Sequence, residues 1–340
     1  MANIVFSEGS GLQDSIYGKC LYPLRMVIES QAEAFEQQSI LPLVYNMEKS
    51  DRFAEQLTGM TSMAGPKPVG EGGDYVKDGF QEGYSSVFQH CTWKDEFEVT
   101  EEMVDDNRII QLKSAPTAFT KAWARKRELH GAELFGAAIQ GAAAQTVGSF
   151  VDGGFTFTTQ TADKQNLFAT GHTSKTGGYG TQSNVFVDAF SGDALAAMEC
   201  AMQDFRDDNG VVLDVSPKTI IIPNDYALKK AVFATIGADK DPETANNGAN
   251  FLFGRWNVII WPYLNQFLGS DKKPWILLDP DYNKVNYGSV WFDRKPLTIK
   301  QKIADNDNLI HKGKARWSAG FHDWRFAAVG GVTNGSTLIA

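Results

Sequence analysis

Apolar positions along this 340-residue chain form one long helical stripe and several short strand-like runs. The stripe spans residues 118–144, where apolar side chains recur at nearly the helical period. At 1.5 Å per residue such a helix is roughly 40 Å long, which is more than one compact lobe needs. We therefore predict a spine helix that crosses more than one part of the fold. Its predicted core-facing residues are Phe119, Trp123, Phe135 and Ile139.

A polar, glycine-rich segment at residues 65–100 precedes this helix. After a stretch rich in glycine and proline, aromatic and β-branched residues alternate with polar ones, as in a half-exposed β-hairpin. A hairpin with so little apolar mass does not fold alone, so we expect it to contact another copy of the chain. An ordinary surface hairpin on one subunit is the alternative. The candidate contact residues are Tyr75, Lys77, Phe80, Tyr84, Phe88 and Trp93.

The other segments contribute helices, loops and buried strands. An amphipathic helix is predicted at 22–38, and a first helix after Thr100 is expected to end at Pro116. A long polar loop is predicted at 145–187. From residue 188 helices and strands alternate, and the apolar runs at 218–223, 256–261 and 275–278 are typical of central sheet strands. Asn224 is the predicted cap of the helix that follows the first of these strands.

The closing section, residues 290–332, is also strand-like, and we expect it to form a sheet against the spine helix. The chain would then leave that sheet, build the α/β lobe at 188–290, and return. The sequence thus predicts an α+β fold with interleaved lobes.

Charge and cysteine content exclude several classes of protein. The net charge of −9 and the pI near 5.1 argue against a surface that broadly neutralises phosphates, although a local basic patch stays open. Three scattered cysteines indicate neither a disulfide framework nor a zinc site, and are typical of a reducing cytoplasm. The sequence shows neither a signal-peptide pattern nor an apolar run long enough to span a membrane.

No motif for catalysis, cofactor binding or metal binding is recognisable. The five histidines form no HExxH motif, and of these His172 alone lies in a segment that resembles an active-site loop. The HTSKTGG segment lacks phosphate-loop spacing, and the DDNG and DNDN segments are typical of turns, with a weak calcium site as a minor alternative. We expect no catalytic residues, no cofactor and no metal, although a triad without a local motif stays open.

Six short segments in a particular order resemble the major capsid proteins of tailed bacteriophages. That family has the Hong Kong 97-type fold, and the resemblance is greatest to the Mu-like head subunits. The segments are NLFATGHT (166–173), TQSN (181–184), DDNG with PKTIIIP (207–223), WNVIIWPYL (256–264), PWILLDP (274–280) and GFHDWRFAAVGG (320–331).

The resemblance implies four regions. Residues 1–64 would be an N-terminal arm with an amphipathic helix, and residues 65–100 the extended loop that lies over a neighbouring subunit. Residues 101–187 and 291–340 would form a peripheral domain, and residues 188–290 the axial domain.

The resemblance also implies a function and its partners. Subunits would form pentamers and hexamers of an icosahedral shell around double-stranded DNA, with only weak, non-specific DNA contact and no catalysis. A separate scaffolding protein, a portal and a maturation protease would be the other partners, with a decoration protein as a further candidate and no membrane. Assembly would occur in the host bacterial cytoplasm. The alternatives are an encapsulin-like compartment and an α/β hydrolase-type or binding domain.

Overall fold

The computed structural model describes residues 34–35, 38–61, 63, 65–77, 79, 81–100, 102, 109–239, 250–269, 273–306 and 308–338. Most of the helix predicted at 22–38 lies outside the described residues, and so does Phe80.

The helices and strands alternate along the chain. The α-helices are Leu41–Val44, Ile109–Ala144, Gly192–Gln203, Tyr226–Gly237 and Pro280–Asn286, with a 3-10 helix at Pro262–Phe267. The strands are β1 (Asn46–Lys49), β2 (Ala54–Met60), β3 (Glu82–Gln89), β4 (Cys91–Val99), β5 (Ser149–Asp152), β6 (Phe155–Thr158), β7 (His172–Thr173), β8 (Thr181–Gln182), β9 (Thr219–Pro223), β10 (Asn257–Trp261), β11 (Trp275–Leu278), β12 (Ser289–Ile303), β13 (Leu309–Phe321) and β14 (Ala327–Gly330).

The first sheet has the strand order β1-β12-β13-β4 and packs one face on the long helix. Strand β13 runs antiparallel to both of its neighbours. Because side chains alternate across a strand, one face of β13 is buried and the other carries exposed charge. Gly313 lies where the helix comes closest, since a Cβ there would be 2.6 Å from the Phe119 ring and 3.0 Å from the Trp123 indole.

The long helix begins nine residues earlier than predicted and continues through Pro116. The prediction that Pro116 ends a separate helix is therefore wrong. Proline removes one backbone N–H donor, but the next turns are held by buried Phe119 and Trp123. The carbonyl of Pro116 also accepts a hydrogen bond from Thr120 Oγ1 at 2.9 Å.

The second sheet has the order β10-β9-β11-β14, and every residue of β9 and β11 is buried. Helix Tyr226–Gly237 begins at Asp225, whose carboxylate accepts from the Leu228 N–H at 2.9 Å. The prediction that Asn224 caps this helix is wrong. Its backbone N–H donates a hydrogen bond to Asn265, and its side chain accepts one from Lys229.

Strand β14 belongs to this second sheet, so its predicted place in the sheet against the long helix is wrong. Residues Ala327–Gly330 pair antiparallel with β11, and all four are buried. Small side chains suit this position, because a Cβ on Gly330 would lie 2.4 Å from the Trp275 indole.

A single hydrophobic cluster joins the two sheets through the long helix. The Phe135 ring lies 5.1 Å from the Phe321 ring at the end of the first sheet and 5.8 Å from the Trp261 ring in the second. The helix thus crosses between the lobes, as its length suggests.

The segment predicted as a polar loop at 145–187 contains two short hairpins, β5–β6 and β7–β8. Several of its polar side chains form hydrogen bonds within the segment and to the long helix. Buried Asn166, for example, donates to the Ala138 and Phe168 carbonyls at 2.7 Å each. These bonds tie the segment to the long helix without a large apolar core of its own.

Candidate assembly surfaces

The extended arm is a hairpin of β2 and β3 that ends in a long exposed loop. These strands pair antiparallel from Ala54 opposite Gln89 to Met60 opposite Glu82. The arm therefore begins about ten residues before the predicted start at residue 65. Strand β4 lies within the predicted arm segment at 65–100, but it pairs with β13 in the first sheet and is not part of the arm. The hairpin partner is thus found in the same chain.

The base of the arm is held by close packing. Phe88 is buried against Val290 and Phe292, and its ring lies 5.7 Å from the Phe292 ring. Within the hairpin, Gly83 lies so close to Gly59 on the neighbouring strand that a Cβ on Gly83 would be 2.9 Å from the Gly59 carbonyl carbon. Only glycine permits this approach without backbone movement.

Polar contacts from the segment at 145–187 and from the end of β13 also reach the arm base. The Lys175 ammonium donates to the carbonyls of Glu82 and Gly83 at 2.6 Å each. The Nδ1 atom of the His322 ring lies 3.2 Å from Ser86 Oγ. These contacts fix the base of the arm to the body of the subunit.

The candidate contact residues do not form one surface. Tyr75 is fully exposed and Lys77 is also exposed, both in the loop of the arm. Tyr84 lies at the arm base, with the Lys175 ammonium 5.7 Å from its ring centre.

Two of the candidates pack within their own subunit and do not belong to the exposed surface of the arm. Phe88 is buried at the arm base. Trp93 lies outside the arm, on β4, and stacks on Trp317 at 4.7 Å. An alternating pattern of aromatic residues does not determine which of them will pack on the subunit's own sheet.

The four core-facing residues of the long helix are buried. Phe119 and Trp123 contact the first sheet near Gly313, whereas Phe135 and Ile139 are fully buried farther along. Their role is to fix the helix between the two sheets.

His172 lies in a buried polar cluster that the sequence did not predict. Its Nδ1 lies 2.7 Å from Asp163 Oδ2, and its ring stacks on Trp324 at 4.1 Å. Burial alone would raise the pKa of Asp163, but hydrogen bonds from His172 and Thr161 outweigh it and lower that pKa. Because His172 has no exposed surface, this pair is suited to structural support and not to binding a substrate.

Arg325 extends this cluster toward the arm base. Its guanidinium lies 3.2 Å from Asp323, 3.8 Å from Asp208 and 3.0 Å from the Tyr179 hydroxyl. Burial alone would lower the pKa of Arg325, but the nearby Asp323 raises it, so the cation is held in place. These partners are distant in sequence, and no local motif connects them.

Neither metal-binding nor membrane-spanning features are found in the described part of the chain. Those residues contain no group of three or more His, Cys, Asp or Glu side chains placed to hold a metal ion. None of the described helices is long and apolar enough to cross a membrane. The DDNG segment forms a turn, because Asp207 accepts from the N–H groups of Asn209 and Val211 at 2.9 and 2.8 Å.

Comparison with known proteins identifies the family. A family model described as phage capsid protein matches residues 88–330. A solved structure from Microbacterium phage Oxtober96 aligns with a TM-score of 0.50 and 10% identity, over 87% of this chain and 90% of that one.

Two further structures are more distant. The head structure of Helicobacter pylori bacteriophage KHP40 aligns with a TM-score of 0.49 and 7% identity, over 84% of this chain and 88% of that one. The capsid structure of Cyanophage P-SCSP1u gives 0.47 and 8%, over 84% and 85%. No curated protein sequence gives a significant match. The chain has the α+β, Hong Kong 97-type fold and belongs to the phage capsid protein family.

Proposed function

We propose that this chain is the major capsid subunit of a tailed phage, which self-assembles through pentamers and hexamers into an icosahedral shell around double-stranded DNA. The observation that carries the proposal is the extended arm. Its base is fixed to the subunit, whereas nearly all of the described residues at 61–81 are exposed. Loops of this length are uncommon in compact domains unless they have a function.

The arm loop exposes apolar side chains that a monomer leaves in water. Besides Tyr75, the exposed residues there are Met63, Val69 and Val76, and Met60 at the adjoining end of β2 is exposed too. Apolar groups concentrated on one projecting element are typical of an interaction surface. Because capsid proteins assemble with copies of themselves, we propose that a neighbouring subunit covers the arm.

Several finer parts of the proposal rest on family membership. We propose that the subunit has no enzymatic activity, which agrees with the burial of His172 against Trp324. A separate scaffolding protein, a portal, a maturation protease and a decoration protein are proposed partners, and assembly in the host cytoplasm is the proposed setting. The finer resemblance to Mu-like head subunits and the domain limits at 188 and 291 stay predictions.

The test is to remove the arm loop and keep its base. Residues 65–79 would be replaced by a two-residue Asn-Gly turn, and light scattering with negative-stain electron microscopy would compare the variant with the wild type. We expect the wild type to form rings or closed shells and the variant to stay a folded subunit. Circular dichroism and thermal unfolding provide the folding control.

Normal shells from the arm variant would overturn the proposed role of the arm. A wild-type chain that stays monomeric at every concentration, with its expected phage partners present, would instead contradict the proposed function itself. An encapsulin-like compartment would be favoured if purified shells contained a cargo enzyme and no DNA.

A further inference from the structure

His90 is buried at the junction of β3 and β4, where the arm joins the first sheet. Its Nε2 atom lies 2.9 Å from the Ser50 hydroxyl oxygen, and its Nδ1 atom lies 3.0 Å from the Ser318 hydroxyl oxygen. Ser50 lies in the segment that leads into β2, the first arm strand, and Ser318 lies on β13. One imidazole ring therefore connects the root of the arm to the first sheet.

The neighbouring hydroxyl groups determine where the proton of this ring lies. Ser50 donates its only hydroxyl proton to Glu55 Oε1 at 2.7 Å, so its oxygen accepts a hydrogen bond from the Nε2–H group of His90. The Nδ1 atom of the neutral ring then accepts a hydrogen bond from the Ser318 hydroxyl. A second proton, on Nδ1, would place two donors against each other, so the Ser318 hydroxyl would have to turn away.

The charges around His90 also favour the neutral ring. Among the described residues, the charged groups that act on it are Glu55 on β2, Arg294 on β12 and Arg316 on β13. Burial lowers the pKa of His90 and so does Arg316, whereas Glu55 raises it and Arg294 lowers it again. The Glu55 carboxylate is shared with Arg52, whose guanidinium lies 3.9 Å away. A proton on His90 would therefore add a buried positive charge near two arginines.

His322 contacts the arm from just beyond the end of β13. Its Nδ1 atom lies 3.2 Å from Ser86 Oγ on β3, and a Cβ built on Gly59 of β2 would lie 3.7 Å from its Nε2 atom. The backbone of His322 is fixed, because its N–H donates to the Gly288 carbonyl at 2.8 Å and its carbonyl accepts from the Ala162 N–H at 3.0 Å. The ring thus lies against both strands of the arm.

The groups around His322 favour its neutral form as well. Burial lowers the pKa of His322, and the adjacent Asp323 opposes this effect. The charged residues that line the small cavity beside the ring are Asp163, Asp208, Asp323 and Arg325. Asp163 is bonded to His172, whereas Asp208 and Asp323 lie within ion-pair distance of Arg325. Each of these carboxylates already has a partner, which limits its attraction for a protonated His322.

Cavities border both rings. His90 and Ser86 line a cavity of about 430 Å³ between β3, β6 and β13, and His322 lines one of about 130 Å³ together with Tyr84. Lys164 lines the larger cavity and adds a further positive charge there. Both cavities have polar walls and enough volume for water, so protons can reach the two rings. The cavities also leave β3 space to move.

We propose that His90 and His322 form a proton-sensitive latch, which holds the arm on its own subunit while both rings are neutral and loosens it when they are protonated. In a loosened arm the rings would regain a pKa of about 6.5, the ordinary value for histidine. The attached arm therefore binds fewer protons, so its attachment is strongest above pH 6.5 and weakens as the pH falls below that value. The packing of Phe88 does not titrate, so acid loosens the base and does not detach it.

The latch acts within one subunit, so it can be tested without shells. The test is hydrogen–deuterium exchange with mass spectrometry on the full chain, at a concentration too low for assembly and with rates corrected for the intrinsic effect of pH. Between about pH 7.5 and 5, exchange of β3 amides should accelerate about threefold or more beyond the acceleration at β9. Strand β9 is the reference because it is fully buried and reports any acid destabilisation of the body.

The double variant His90→Gln, His322→Asn keeps polar atoms near the two ring positions that contact Ser50 and Ser86, but it does not titrate. Its β3 amides should respond to pH no more than those of β9. His130→Phe, which removes a buried histidine of the body, is the matched control and should keep the response of the arm. If the double variant does not fold, each single variant should remove part of the response.

Two results would overturn the inference. One is equal acceleration of exchange at β3 and β9 in the wild type. The other is a full wild-type response in the folded double variant, or in both single variants, which would assign the response to other groups. Failure of the chain to form shells contradicts the proposed function instead and leaves these measurements unaffected.

Discussion

The arm and the first sheet are both built from antiparallel strands, yet they are stabilised in different ways. Strand β13 buries one face against the long helix, where Trp317 is among the largest fully buried side chains. The β2–β3 hairpin has one anchor of comparable size, Phe88, and exposes most of its remaining length. The sheet is stable because of its own core, whereas the apolar side chains of the arm stay exposed in the isolated subunit.

This comparison also separates two kinds of substitution. Changes in the core should act on folding and leave the assembly contacts themselves intact. Changes in the arm loop should act on assembly and leave folding intact.

The largest effect on folding is expected where the long helix joins the two sheets. Phe135→Ala should lower the free energy of unfolding by roughly 3–5 kcal/mol, because it leaves a cavity between Phe321 and Trp261. Urea unfolding followed by circular dichroism would measure it. Phe155→Ala at an exposed position is the matched control and should change the same quantity by less than about 0.5 kcal/mol. Equal losses from both variants would contradict the assigned core.

Acid should destabilise the body of the subunit through buried histidines. Burial lowers the pKa of His130 to about 4, and that of His311 to about 4 as well. In the unfolded chain a histidine pKa is about 6.5. The folded state therefore binds fewer protons between these values, so stability is complete above pH 6.5 and declines as the pH falls toward 4.

For His130 this loss amounts to roughly 3 kcal/mol, since one pKa unit corresponds to about 1.4 kcal/mol. Its ring lies among Trp93, Phe150, Phe157 and Trp291. His130→Phe should therefore lower the number of protons taken up on unfolding in this window by about one, and the slope of unfolding free energy against pH falls accordingly. An unchanged slope in urea titrations at pH 4 to 7 would show that His130 does not titrate as inferred.

A smaller effect is expected at the junction of arm and body. Lys175→Met removes the donor to the Glu82 and Gly83 carbonyls and should loosen the arm base by about 1 kcal/mol. Cleavage of the arm by a protease should then become several-fold faster in the unassembled subunit. Lys230→Met, away from the arm, is the matched control. Arm cleavage at the wild-type rate in Lys175→Met would show that packing of Phe88 alone holds the base.

The smallest effect on folding is expected at the tip of the arm. Tyr75 is fully exposed, so Tyr75→Ser should change the free energy of unfolding by less than about 0.5 kcal/mol. If the loop is covered in the shell, the same variant should reduce the yield of shells. Val285→Ser, at another exposed apolar position, is the control for a general loss of surface hydrophobicity. A large loss of folding stability in Tyr75→Ser would mean that the loop already packs on its own subunit.

Several helices and strands of this protein, and its fold family, could be predicted from local sequence patterns alone. The long helix, the buried runs of β9 and β11, and the exposed loop around Tyr75 follow from periodicity and composition, which depend on neighbouring residues. The prediction that the apolar run at 256–261 is a central strand is wrong, because β10 lies at the edge of its sheet and is only partly buried. The order of short segments predicted the capsid fold, and the family and structural matches confirm it. These features required no knowledge of which distant segments meet.

Pairing between distant segments was decided by the tertiary structure. Alternation shows that β3 and β4 are strands, but only the folded chain shows that β3 pairs with β2 and β4 with β13. The same holds for the buried pair of His172 and Asp163, and for the register that places Lys300 opposite Lys312. Each depends on contacts across many residues, and their energies are set by packing and burial that no local pattern contains.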